Sequence, residues 1–247
     1  PRYYCIVVDC AEAMAEAMAA PSAVIFDLGG VVLNSPFSAI ADYETRNGIE
    51  SNTINKVIGA AGEEGAFARA ERGEISVHEF AEPFAHDCKL VGAPPLDGSA
   101  LMSLILESCT PRPLMLEALG ILRDSEIKTA ALTNNFRSQA GDDRFTSALV
   151  DLQPLFDVIV QSAEEGVRKP DPRIYSLACT RLGVAPHECV FLDDIGRNLK
   201  PAQAMGMRTI RVGLADSTGG AAVRQLSAML GGQVGQRLQS CLRRARL

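Results

Sequence analysis

No two cysteines in the chain stand in a CxxC spacing, and the three histidines, His78, His86 and His187, fit no zinc pattern such as HExxH. Those absences remove the usual signatures of a redox dithiol and of a zinc centre. Each histidine therefore reads as core or surface filler. No apolar run approaches the roughly 20 residues of a membrane-spanning helix. Positive charge is in short supply: 24 Lys and Arg against 30 Asp and Glu leave a net charge of −6. Nucleic acid and anionic membrane both want clustered positive charge, so neither is expected as the main partner. The seven cysteines are odd in number and scattered, which suits a reducing compartment, the cytoplasm first, with a mitochondrial setting left open. The opening "PRYYCIVVDCAEAMAEAMAAPS" carries Asp9, Glu12 and Glu16, too acidic for a secretory signal or an Arg-rich transit peptide. It reads as an extension (1–22) with a short helix over "AEAMAEAMA".

What is present is an ordinary globular balance, 47% hydrophobic and 22% charged over 247 residues. A chain of that length buries a core without help from metal or disulfide. Four apolar runs look like strands buried on both faces: "AVIFD" (23–27), "KTAALTN" (128–134), "ECVFLDD" (188–194) and "MRTIRVG" (207–213), with a weaker one at "FDVIVQS" (156–162). Amphipathic segments at 112–124, 171–183 and 197–207 lie between them. Alternating strands and helices of these lengths predict an α/β fold, a Rossmann-like parallel sheet with helices on both faces. Asp171, Pro172 and Gly183 supply a cap, a first-turn proline and a stop for one helix.

Residues 36–110 interrupt the alternation. They hold helical pieces and no convincing strand, so they predict a small helical cap inserted after the first strand as a lid over that strand's carboxyl end. Within it, Ser76 and Glu79 form a capping-box pattern ahead of a helix over 76–92, which Pro83 should kink or shorten. The core is then 23–35 with 111–230. The basic tail 231–247, "QRLQSCLRRARL" at its end, reads as a solvated terminal helix.

Three of the runs end in polar groups: Asp27, then Thr133-Asn134-Asn135, then Asp193-Asp194. Ligands of open parallel sheets bind beyond the carboxyl ends of strands. Buried strands gain nothing in packing from a terminal acid, because a desolvated carboxylate is costly unless paired or metal-bound. Three acids gathered there repel one another without a cation, and magnesium, which takes a few carboxylates with phosphate oxygens and water, resolves the conflict. "VRKPDP" adds Lys169, whose ammonium could neutralise the acids and a bound phosphate.

The ordered set "VIFDLGGVVL", "AALTNNF", "VRKPDPRIY" and "VFLDDIGRNLKPAQAMGM" resembles the haloacid dehalogenase-like hydrolase superfamily. Within it, the likeness is to the amino-terminal phosphatase domain of soluble epoxide hydrolase and a related domain of an acyl-CoA dehydrogenase. It spans about residues 23–214 and includes "RGEISVHEF" as part of the inserted cap. The resemblance implies a phosphatase of a small phosphorylated metabolite with Mg2+ as cofactor. Asp27 would be the nucleophile, forming an aspartyl-phosphate. Asp27, the Gly29 carbonyl and Asp194 would be the metal ligands, with Asp193 and Asn198 orienting that site from behind. Thr133, Asn134 and Lys169 would bind phosphate, and Thr133 and Lys169 would also act in catalysis. The pair Gly29-Gly30 would let the backbone turn sharply into the site.

One departure stands out. Active phosphatases of the superfamily usually carry Asp at position 29, where it protonates the leaving oxygen and then activates water. Glycine supplies no proton, and general acid–base help is typically worth about 10²–10⁴ in rate. Asp42, Glu44, Glu71 and Glu74 are candidates by charge for a substitute. Arg69 and Arg72 could meet a second anionic group, although both read first as solvated surface. Two other readings remain. One is an inert phosphate-binding or scaffold module, fused to or docked on other domains. The other is carbon–halogen hydrolysis, which lacks the second acid in this superfamily but also dispenses with magnesium. A homodimer is a further partner reading.

Overall fold

The computed structural model describes residues 20–137 and 144–245. The helix expected over "AEAMAEAMA" lies outside the described residues. Five strands, β1 (Ala23–Phe26), β2 (Lys128–Thr133), β3 (Val158–Gln161), β4 (Cys189–Asp193) and β5 (Arg208–Arg211), form one parallel sheet in the order β3-β2-β1-β4-β5. Each falls inside the apolar run that predicts it. The chain builds outward from β1 on one side, returns, and builds outward on the other, so the connections diverge at the carboxyl ends of β1, β2 and β4. That divergence opens the crevice in which such sheets bind ligands.

The strands alternate their side chains between two cores, as a sheet covered on both faces requires. Val24, Phe26, Val190 and Leu192 face one core and Ala23, Ile25, Ala130, Leu132 and Phe191 the other. The insert that follows β1 carries five α-helices: α1 (Pro36–Arg46), α2 (Thr53–Ala61), α3 (Ala66–Glu71), α4 (Ala81–Leu90) and α5 (Gly98–Glu107). The insert leaves and rejoins the core at one neck, where Leu33 bridges Pro111 and Asn34 N–H donates to the Thr110 carbonyl at 2.9 Å. Ser35 caps α1 with Pro36 in its first turn, and Asp97 caps α5. Glu44 is spent inside the insert: its carboxylate accepts from Asn52 N–H (2.7 Å) and Ile54 N–H (2.8 Å) at the start of α2.

After the insert come α6 (Pro113–Arg123), α7 (Arg144–Leu152), α8 (Ser162–Glu165), α9 (Pro172–Leu182), α10 (Gly196–Ala204), α11 (Gly220–Leu230) and α12 (Gly232–Arg244). Asp171 caps α9 through Arg173 N–H at 2.9 Å and Gly183 closes it at φ +64°, in line with the sequence pattern.

Two expectations need correction. Ser76 and Glu79 do exchange hydrogen bonds, Ser76 N–H to Glu79 Oε2 at 2.8 Å and Glu79 N–H to Ser76 Oγ at 3.4 Å, yet they close a turn rather than a helix. The helix begins at Ala81, with Pro83 in its first turn, where a missing N–H costs no helical bond. The tail helix α12 is not solvated. Leu238 and Cys241 are fully buried and join the core formed by α6 and α11, while its basic face meets Asp124 through Arg237 at 2.8 Å. Leu238→Ala is therefore expected to lower unfolding free energy by about 2–5 kcal/mol. Equilibrium chemical denaturation measures this, and a loss below about 0.5 kcal/mol, the range of exposed positions, would contradict the packing.

Candidate active site

Register carries the polar strand ends to one edge. Phe26 pairs with Ala131 on one side and Leu192 on the other, and Asp27 N–H donates to the Leu192 carbonyl at 2.9 Å. Asp27 therefore emerges from the middle of the sheet, with Thr133 and Asp193-Asp194 on either flank. Lys169 reaches this edge from the loop before α9. Its Nζ lies 2.8 Å from Asp27 Oδ2 and 2.8 Å from Asp193 Oδ2, and it is fully buried. One carboxylate oxygen from each of Asp27, Asp193 and Asp194 lies within 4.8 Å of the others.

Three carboxylates against one ammonium leave excess negative charge out of water, and the proton affinities respond. Burial first, then Asp193 and Asp194, push Asp27 well above the usual carboxylate range, with Lys169 opposing. Burial and Asp193 bring Asp194 to about 6. Lys169 is disfavoured as a cation by burial, but Asp193 and Asp27 outweigh this and hold its pKa above the ordinary value. Asp193 is satisfied on all sides, by Lys169, Ile195 N–H (2.8 Å) and Asn198 Nδ2 (3.1 Å to each oxygen). Asn198 is itself tied down by Tyr175, whose hydroxyl donates to its carbonyl at 2.7 Å. Asp194, by contrast, has a buried Oδ2 with no hydrogen-bond partner. An orphaned buried carboxylate oxygen beside two other acids is the donor set a hard divalent cation takes, so these residues fit magnesium.

The adjacent glycines differ. Gly30 sits at φ +76°, and a Cβ there would lie 2.1 Å from Asp194 Oδ2. Only glycine fits. Gly29 has φ −61° and ψ 127°, and a Cβ would meet nothing closer than Pro36 Cδ at 3.4 Å. The requirement for a glycine pair thus narrows to Gly30, and the missing side chain at 29 is a matter of chemistry rather than of space.

A cavity of about 180 Å³ lies between the sheet edge and the insert. Asp27, Gly29, Thr133, Asn134, Lys169, Asp194 and Asn198 all line it, with Phe37, Ile40, Ile58 and Phe67 from the insert as apolar walls. Thr133 is buried at its floor. Asn134 lines the cavity while its side chain is engaged with the backbone beside it: Oδ1 accepts from Lys169 N–H at 2.9 Å and Nδ2 donates to the Lys169 carbonyl at 3.1 Å. It clamps the backbone that carries the lysine.

Among the candidate acids, Asp42 is exposed on α1, Glu44 caps α2, and Glu74 is exposed and paired with Arg72 at 2.6 Å. Glu71 alone of the four lines the cavity. Arg69 and Arg72 pair with Glu74, and Arg72 also with Glu63, and neither is in the cavity wall. Besides Lys169 the wall holds two cations that no sequence pattern singles out, Arg168 and Arg197, although Arg168 is the direct neighbour of Lys169. Arg168 Nε meets Glu71 Oε2 at 2.5 Å, and its Nη1 meets both oxygens of Glu63 at 2.9 and 3.0 Å.

Comparison with known proteins identifies the fold and the family. The chain is 39% identical over 211 residues to acyl-CoA dehydrogenase family member 10 of Mus musculus, covering 85% of this chain and 19% of that one. It is 30% identical over 221 residues to bifunctional epoxide hydrolase 2 of Sus scrofa, covering 86% and 39%. It therefore spans well under half of either relative. Shorter overlaps reach both a mycobacterial phosphatase and a Pseudomonas haloacid dehalogenase. Among solved structures, a haloacid dehalogenase family enzyme of Bacteroides thetaiotaomicron in complex with magnesium and inorganic phosphate shares the fold, with a TM-score of 0.54, 20% identity, and coverage of 77% of this chain and 93% of that one. The model of the haloacid dehalogenase-like hydrolases matches residues 21–206, from just before β1 to just past α10. The chain belongs to the haloacid dehalogenase-like hydrolase family.

Proposed function

We propose that the protein is a magnesium-dependent phosphatase that hydrolyses a small phosphorylated metabolite through an aspartyl-phosphate on Asp27. The observation that carries this reading is the buried edge at which Lys169 touches Asp27 while Asp194 keeps an unpartnered oxygen. A carbon–halogen hydrolase needs no divalent cation, so that orphaned carboxylate favours phosphate over halide chemistry.

In the proposed reaction an Asp27 oxygen bonds to phosphorus as the ester oxygen departs with its electron pair, and water then cleaves the aspartyl-phosphate. Lys169 shields the nucleophile from the substrate's charge and offsets charge that builds on the phosphoryl oxygens. Thr133 supplies a hydroxyl to one of those oxygens. Asn134 holds Lys169 in place, and Asp193 with Asn198 orients it from the other side. Magnesium, held by Asp27, the Gly29 carbonyl and Asp194, would neutralise phosphoryl charge when bound. The apolar walls favour a compact organic group beside the phosphate.

Asp27→Asn is expected to abolish magnesium-dependent phosphate release from acetyl phosphate or an aryl phosphate, as is chelation of the metal; colorimetric phosphate detection measures both. An unmodified chain that binds a phosphate analogue with magnesium but turns nothing over would instead support the scaffold reading.

Because Gly29 offers no proton, leaving groups that depart unprotonated, such as acyl, aryl or enol oxygens, suit the site better than alkoxides. Gly29→Asp has room for its side chain. It is expected to raise turnover of alkyl phosphates about tenfold or more, within the usual worth of general acid catalysis, and that of aryl phosphates much less. Steady-state rates on matched alkyl and aryl esters test this, and equal gains on both would contradict it.

A further inference from the structure

Hydrolysis of an aspartyl-phosphate needs a base to take a proton from the attacking water, and Gly29 cannot be that base. Three carboxylates among the described residues line the cavity: Asp27, Asp194 and Glu71. The first is the proposed nucleophile and the second lies with it and Asp193 on the cation side. Glu71 comes from the other wall, at the end of α3 in the insert. Water must approach phosphorus in line with, and opposite to, the departing Asp27 oxygen, which favours a base carried by the insert over one on the sheet edge beside Asp27.

The local structure suits the task. The Glu71 side chain is 18% exposed, open to the cavity yet largely withdrawn from solvent. Its Oε2 is held by Arg168 Nε at 2.5 Å and Asn134 Nδ2 at 3.4 Å, while Oε1 has no partner among the described residues. One oxygen is anchored and the other is left to accept. Arg168, Arg197 and Lys169 face it with positive charge and favour its carboxylate form. Burial raises its proton affinity more than those cations lower it, which makes it a stronger base than an exposed glutamate. Glu63 shares Arg168 but is 63% exposed and outside the cavity wall.

We propose that Glu71 is the general base of the second half-reaction. The water oxygen forms a bond to phosphorus, the bond from phosphorus to the Asp27 oxygen breaks with its electron pair returning to that carboxylate, and the water proton passes to Glu71 Oε1. Inorganic phosphate is the product. This assignment rests on the phosphatase reading above. It divides the work unusually: the first step relies on the leaving group, and the insert supplies proton transfer only in the second.

The test is rapid-mixing kinetics with p-nitrophenyl phosphate and magnesium, comparing the unmodified chain with Glu71→Gln, a near-isosteric change that keeps an oxygen for Arg168. The variant is expected to release close to one equivalent of nitrophenol in a burst. Its steady-state rate should then fall by about 10²–10⁴, the usual worth of a general base, and mass spectrometry of the quenched protein should find Asp27 phosphorylated. Gly29→Asp combined with Glu71→Gln should recover most of the steady-state rate, since a carboxylate at 29 can take over the proton. A burst and steady state that fall together would show that Glu71 only positions Lys169 through Arg168 and Asn134, and would overturn the assignment. So would an unchanged steady state, or a double variant that fails to recover while Gly29→Asp alone is active. An unmodified chain that releases no nitrophenol overturns the phosphatase reading itself, which separates that failure from the others.

Discussion

The ammonium of Lys169, shared between Asp27 and Asp193 at 2.8 Å from each, is the interaction around which the site is built. It joins three chain segments that have nothing in common but an edge of the sheet: the end of β1, the end of β4 and the loop before α9. In a buried setting, breaking such a pair by removing one partner typically costs about 3–5 kcal/mol, because the partner left behind is an uncompensated charge. Here two carboxylates would be left behind. The triad is therefore stable only when assembled, and the contacts around it serve that assembly. Asn134 grips the lysine's backbone on both sides of one residue, Asn198 and Ile195 N–H fix Asp193, and Tyr175 fixes Asn198. Even so, the acids outnumber the cation, and Asp194 keeps an unpartnered oxygen. A centre that remains electrostatically incomplete in the folded chain is prepared to take up positive charge.

The two glycines after Asp27 show how fold and chemistry constrain neighbouring positions differently. At Gly30 the backbone enters the left-handed region and passes so close to Asp194 that no side chain can be accommodated. At Gly29 the backbone is extended and there is space for a Cβ. The fold would accept an acid at 29, so its absence says something about proton demand and nothing about folding. A reaction that proceeds without that acid must have a leaving group that needs no proton, or must obtain proton transfer from another wall of the cavity.

How much of this could be read from the chain alone follows from the range over which each signal acts. The strands were legible because a parallel strand buried on both faces is a short apolar block, and each of the five lies within such a block. The site residues on the sheet were legible for a related reason: Asp27, Thr133 and the Asp193-Asp194 pair all stand at the ends of those blocks, so topology alone brings them together. The rest depends on where the insert returns in space, which no local pattern records. Glu71, Glu74 and Glu44 are equivalent as charges in the sequence. Only the packing of α3 against the core separates a cavity carboxylate from an exposed ion pair and a helix clamp. The tail helix misled for the same reason: Leu238, Cys241 and Leu242 are few among many polar residues, yet they fall on one face and that face is covered. Ser76 and Glu79 misled in the opposite way, since the reciprocal bonding they predict is real and its turn simply does not propagate.

Arg168 and Lys169 are adjacent in the chain and point their charges to opposite constituencies. Lys169 belongs to the sheet edge, through Asp27 and Asp193. Arg168 belongs to the insert, through Glu63 and Glu71. One peptide bond connects the two, and the Asn134 side chain reaches both the Lys169 backbone and Glu71. Any displacement of α3 that separates Glu71 from Arg168 must therefore load the backbone that positions Lys169 against Asp27. The seat of α3 and the placement of the buried cation are in this way tied to a single short segment, "VRKP". The apolar wall of the cavity and its charged edge are consequently not independent surfaces.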